Sequence, residues 1–269
     1  MWFLDYLKSS IGRKQSMGVA GVLLVGFLAG HLLGNLQLLN PDPAAAQAAY
    51  NAYTRFLTGL KPLIWFIELA LLAIFAYHVA VASWLKLENR RARGRTRYAV
   101  SASLGDATPA STTMYATGTV VLLFVVSHLV VFKYGTHYLY TDAQGEVIRD
   151  MWLTTVEFFG TWWCTALYGL GLLAVGFHLF HALPSLFRTF GLDHPKWTPA
   201  FTLVGRLVAL ALAGGFIGTA AATCALAHTP AARAQIQKAH AAQKAFAQQA
   251  AVDAAAAVVG ASVQKGKAN

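Results

Sequence analysis

Residues 176–191 read GFHLFHALPSLFRTFG and close an apolar run that begins near residue 158. Two imidazoles, His178 and His181, sit three positions apart inside it, and Arg188 follows at its end. A hydrocarbon core takes about 20 consecutive apolar helical residues. Five runs meet that length: 17–39, 62–85, 113–132, 158–183 and 201–226. They are continuous rather than alternating, and five strands could not close a barrel around their backbone polar groups. The expected fold is therefore all-α, an integral membrane protein with five transmembrane helices.

Composition agrees with that reading. Of the 269 residues, 57% are hydrophobic and 12% charged, against about 25% charged in a soluble domain. A net charge of +10 would suit nucleic acid if it formed one patch. Here it falls in blocks between the apolar runs, so it reports topology and no nucleic-acid partner is expected. The segments before run one, between runs two and three, and between runs four and five hold eleven Lys and Arg, with six in the second of them (Lys86, Arg90, Arg91, Arg93, Arg95, Arg97); the two alternate segments hold four. By the positive-inside rule the N-terminus and the Arg-rich loop face the cytoplasm and the C-terminus lies outside. Run one follows Lys8, Arg13 and Lys14 like a signal peptide, but it is too long for a cleaved one and contains His31, so it is expected to be retained. Cys164 and Cys224 show no CxxC or CxxCH spacing and are read as packing residues.

Residues 1–228 form the membrane domain. Between runs one and two, Pro41, Pro43 and Pro62 bracket an Ala-rich piece expected as a short interfacial helix. Between runs three and four, KYGTHYLYTDAQGEVIRD has the composition of a structured interfacial loop able to roof a pocket. Residues 229–269 turn to Ala, Gln and Lys and are expected as a solvated helix or a disordered tail without chemistry of their own.

Each of the first four runs buries a histidine: His31, His78, His128 and His178. One could be a hydrogen-bonded core residue, but ionisable groups are expensive inside a membrane and four need a common cause. At about 1.5 Å per residue, His31 lies roughly 25 Å beyond Lys14 and His128 roughly 24 Å beyond Thr112. By the same rise His78 lies about 12 Å above Lys86 and His178 about 15 Å above Arg188. His31 with His128, and His78 with His178, thus occupy two levels about 10–13 Å apart, the arrangement in which two b-type haems are each held by two axial imidazoles. His178 is preferred to His181 because its depth matches His78. His137, His194, His228 and His240 are expected in solvent. Gly26, Gly30, Gly34, Gly118, Gly169, Gly171 and Gly176 either leave room for a flat macrocycle or pack helices closely. Glu68 is the acidic residue well inside a run, fit for either structural hydrogen bonding or proton transfer.

With these residues in view, the chain from about 9 to 226 resembles the five-helix, di-haem cytochrome b membrane anchor of succinate dehydrogenases and fumarate reductases. SSIGRKQSMGVAGVLLVGFLAGHLLGNL, HLVVFKYGTH, RDMWLTTVEFF and GFHLFHALPSLFRTFG carry the resemblance; the last is similar to that family's HLxHGxxSxFxTxG element, with Ala182 where Gly is common. The resemblance implies that the first four helices form a haem-binding bundle, with His31 and His128 on a distal haem b and His78 and His178 on a proximal one. It implies a cytochrome b subunit without flavin in a bacterial cytoplasmic-membrane complex, joined on the cytoplasmic face to a flavoprotein and an iron–sulfur subunit. Such a subunit passes electrons to or from a quinone, menaquinone foremost, and such complexes assemble as dimers or trimers. Arg13 and Arg188, with Lys14 and Arg206, are at the level of propionate counter-charges or of positive-inside anchors. Thr112 and Gly176 depart from the family, standing where relatives carry an Arg and, in some fumarate reductases, a proton-carrying Glu. The rivals are a fumarate reductase working in reverse, a hydrogenase or formate dehydrogenase anchor, and a transporter using the histidines as a proton relay.

Overall fold

A computed structural model describes residues 2–93 and 113–267. Thr112, Arg95 and Arg97 lie outside the described residues. A short helix α1 (Trp2–Lys8) leads into α2 (Ser10–Asn35), which starts where the Ser9 hydroxyl accepts the Gly12 amide at 3.0 Å, the usual service of a serine cap. A 3₁₀ turn (Leu36–Leu39) joins it to α3 (Pro43–Gly59), with Pro43 in its first turn and Asp42 accepting the amides of Ala44 and Ala45. Then come α4 (Leu63–Arg93), α5 (Met114–Phe132), a hairpin of β1 (Leu139–Thr141) and β2 (Val147–Arg149), α6 (Met151–Gly160), α7 (Trp162–Thr189), α8 (Thr198–Ala227) and α9 (Pro230–Lys267).

Five of these helices, α2, α4, α5, α7 and α8, are long and apolar enough to cross a membrane. The architecture is all-α, that of a multi-pass membrane protein. On α4 alone, Trp65, Phe66, Leu69, Leu72 and Trp84 are all exposed, an apolar surface that water would not tolerate and lipid does. The most extensive helix pair is α7 with α8. There Gly205 lies so close to Pro184 that a β-carbon would sit 2.9 Å from the proline nitrogen. Pro184 donates no backbone hydrogen bond and leaves the groove that Gly205 fills. Helix α4 leans chiefly on α2 and touches α5 only sparsely.

The helices outrun the apolar runs that announced them, α2 starting at Ser10 and α4 reaching Arg93, and one run divides. The run read as one span over 158–183 breaks at Thr161, whose backbone turns extended (φ −88°, ψ 103°). The Thr161 hydroxyl donates to the Glu157 carbonyl and the Thr165 hydroxyl to that of Phe159, so side chains satisfy carbonyls left by the break. Hydropathy is continuous across it and gives no sign. The span proper therefore begins at Trp162 and ends at Thr189, where Gly191 adopts φ +78° and closes the helix, with the Leu192 amide reaching the Phe187 carbonyl at 2.9 Å.

The piece between spans one and two is the helix expected, and the tail is helical. Both meet the hairpin at one end of the bundle. Asp150 is fully buried there and caps α6 by accepting the Leu153 amide at 3.0 Å. Its other acceptor positions take Gln47 Nε2 at 2.5 Å and Asn51 Nδ2 at 2.8 Å from α3, while Asn51 Oδ1 accepts the Trp152 amide. Arg55 of α3 clamps the hairpin tip through Asp142 and Glu146. This hairpin end is opposite the basic end, where Lys14, Arg13 and Arg188 lie.

Candidate functional site

Inside the bundle the four histidines meet in two pairs from four different spans. The rings of His31 (α2) and His128 (α5) lie 5.8 Å apart between centroids, at 89° to each other. Those of His78 (α4) and His178 (α7) lie 6.3 Å apart, at 71°. Two imidazole–metal bonds of about 2 Å on opposite sides of one ion set ring centroids about 6 Å apart, so both separations suit a shared metal centre.

The other nitrogen of three of the rings is already engaged. His128 Nδ1 is hydrogen-bonded to the Tyr168 hydroxyl at 2.8 Å. His178 Nδ1 is 3.4 Å from the Thr117 hydroxyl, and His78 Nδ1 donates to the Met17 carbonyl at 3.4 Å. Partners on Nδ1 orient a ring and leave Nε2 as the ligating atom. Phe27 stacks on His31 at 5.4 Å, and Phe132 and Phe124 flank His128, so the first pair sits among aromatic rings.

Among the described residues no three His, Cys, Asp or Glu side chains gather to hold a bare ion. Pairs of imidazoles need a metal that brings its own equatorial ligands, and a macrocycle needs flat space beside the rings. The glycines divide accordingly. A β-carbon on Gly118 would meet His178 Cε1 at 3.3 Å and one on Gly21 would meet His78 Cε1 at 3.8 Å, while Gly26, Gly30 and Gly169 face open space. Gly34, Gly171 and Gly176 are packing positions, tight against Tyr53, Phe124 and Ala213.

A cation that the sequence did not single out lies at the hairpin end. Arg149 donates from Nη1 to the Lys133 carbonyl at 3.2 Å, but its Nε and Nη2 are buried without a partner among the described residues. Burial pushes the guanidinium down from its ordinary value. An unpaired buried donor costs about 1–3 kcal/mol, and more on a charged group, so two of them on one guanidinium call for an acceptor that the described residues do not supply. Lys133 caps α5 one turn and a half beyond His128, which puts the guanidinium near the His31–His128 pair. Position in a loop of mixed composition hid Arg149, and no sequence signal marks it.

The other candidates are placed as follows. Arg13 pairs with Glu88 at 3.1 Å and lies over the Trp84 ring, so its charge has a protein partner. Arg188, Lys14, Ser185, Thr189 and Ile11 line a cleft of about 280 Å³ at the basic end. Arg206 lies over the Phe180 ring instead. His181 joins neither ring pair. Glu68 is half-exposed and paired with Lys133 at 2.6 Å between α4 and α5, near the hairpin end. His240 keeps the solvent exposure expected of it and also meets Glu157 at 2.6 Å.

Fold and site together give a helical multi-pass membrane protein in which four part-buried imidazoles stand in two pairs. Comparison of the chain with family models, curated proteins and solved structures gives no match.

Proposed function

We propose that the chain is the membrane-anchor cytochrome b of a succinate:quinone oxidoreductase, with His31 and His128 holding one haem b and His78 and His178 the other. The two imidazole pairs, each bridging different spans at a separation suited to a shared iron, carry this reading. Haem held by two imidazoles supplies reversible one-electron storage. The chain's own residues hold and orient: Tyr168, Thr117 and Met17 fix the rings through Nδ1. The orphaned donors of Arg149 are the carboxylate-binding groups for a propionate at the hairpin end, and Arg188 with Lys14 offers the same charge at the basic end.

Electron transfer then runs between an iron–sulfur subunit docked at the basic, cytoplasmic end and a quinone, menaquinone foremost, near the hairpin end. A flavoprotein subunit completes the complex. Fumarate reduction would use the same parts in the opposite direction. The test is a pyridine haemochrome assay on the purified chain with single Ala replacements of His31, His78, His128 and His178. Two b-type haems, one lost with each replacement, are expected; a folded preparation without haem overturns the reading in favour of a histidine-relay transporter.

A further inference from the structure

Helix α9 lies back across the hairpin end through three polar attachments. Gln235 Nε2 donates to Gln47 Oε1 of α3 at 2.6 Å. Gln243 spans the edge of β1, its Oε1 accepting the Leu139 amide at 2.8 Å and its Nε2 donating to the Leu139 carbonyl at 2.6 Å, as a further strand would. Between them His240 Nε2 meets Glu157 Oε1 of α6 at 2.6 Å, with Tyr138 edge-on to the imidazole at 6.0 Å. The apolar contribution is small: Ala232 and Ala239 are buried, and Ile236 packs partly on the cluster around Trp152 and Leu153. A helix seated on alanines gains little from burial, so its few polar contacts decide whether it stays down.

We propose that α9 is a proton-controlled strap, closed over the hairpin end while His240 is charged and loosened as His240 loses its proton. Facing His240 are Glu157 from α6 and Tyr138 from the segment before β1; Tyr138 is itself hydrogen-bonded to Glu157, and the carboxyl of Asp150 lies within electrostatic reach of Glu157. Helix α3 contributes the neutral Gln47. On α9, Lys244 is one turn away and exposed. Protonation makes the His240–Glu157 contact an ion pair with a charge-assisted hydrogen bond; deprotonation leaves a hydrogen bond to a lone carboxylate, and the Coulomb part is lost. Histidine is the side chain whose charge changes most readily near neutral pH, so pH is the handle on this contact.

Loosening would reach the site. Glu157 precedes Phe158 and Phe159, whose rings pack on Tyr168 at 5.7 and 5.0 Å, and Tyr168 is the partner of His128. The strap itself does not depend on the haem reading.

Hydrogen–deuterium exchange on the detergent-solubilised full chain, corrected for intrinsic exchange rates, tests this on the segment 230–250. Protection at pH 5.5 should exceed that at pH 8.5 by about tenfold, the scale of one hydrogen bond to a charged group. His240→Gln keeps a neutral donor and should hold protection at the lower value at both pH values; Glu157→Gln should do the same. Equal protection of the unaltered chain at both pH values, or a pH dependence that survives in His240→Gln, overturns the proposal.

Discussion

The Tyr168 hydroxyl of α7 and Nδ1 of His128 on α5 are 2.8 Å apart, closer than the 3.4 Å contacts at Nδ1 of His78 and His178. It ties the third span to the fourth at the level of the first ring pair. Tyr168 is held in turn by Phe124, Phe132, Phe158 and Phe159, so the hydroxyl has one place to go.

Removing that hydroxyl should loosen one imidazole without emptying the bundle. Partners of this kind are worth about 10–100-fold in metal affinity. On the proposed two-haem reading, Tyr168→Phe should retain both haems at saturating supply and lose about tenfold in affinity at one of them, with the His78–His178 site unchanged. Haem titration followed by the optical spectrum measures this; equal weakening at both sites would mean that Tyr168 acts through general packing.

The five spans and the pairing of histidines by depth were legible because both follow from run length and helical rise, which need no tertiary information. Hydropathy is silent where the chain breaks at Thr161, since apolar residues continue on both sides. Arg149 and Asp150 were not legible, because their role comes from burial among α3, α6 and the hairpin, segments up to about a hundred residues apart in sequence. Nor was the seating of α9, whose alanines and glutamines carry no periodic signal. The glycines show the same limit: equivalent in sequence, they separate only by what stands opposite each one.

That separation predicts opposite outcomes for two similar substitutions. A β-carbon on Gly171 would lie 2.2 Å from the Phe124 ring, whereas nothing stands within 4 Å of Gly30. Overpacking a filled contact costs about 1–3 kcal/mol, and Ala in an open helical position costs nothing. Without added haem, Gly171→Ala should therefore lower the thermal midpoint of the chain in detergent, and Gly30→Ala should leave it unchanged or raise it slightly. A destabilised Gly30→Ala would show that helix packing, rather than open space, surrounds this position.

The buried carboxyl at the hairpin end gives a pH dependence whose sign can be worked out. Burial raises Asp150 above its ordinary value of 3.8, against the pull of its hydrogen bonds from Asn51, Leu153 and Gln47. The folded state thus holds the proton more tightly than the unfolded one, and the stability this contributes is present below about pH 4 and lost as pH rises through the raised value. Asp150→Asn removes the titration but turns an amide NH₂ toward Gln47 or Asn51, leaving one donor unmatched at about 1–3 kcal/mol. The variant should unfold at lower temperature at every pH, with a flatter profile above pH 4.

Glu157 also leaves a signature on Tyr138. Its hydrogen bond comes first among the causes that push the Tyr138 hydroxyl up to about 12, followed by burial and by the carboxylate's charge. Ionising the phenol there would set two negative charges side by side. Glu157→Gln removes the charge and exchanges the carboxylate for a weaker amide acceptor, so one tyrosine should move back toward 10. Tyr50 of α3, raised to about 12 chiefly by burial, should stay where it is. Alkaline titration of tyrosinate absorbance, read as the difference between variant and unaltered chain, should show one phenol shifting down. No shift would mean that Glu157 does not reach Tyr138, and the carboxylate would then bear on His240 alone.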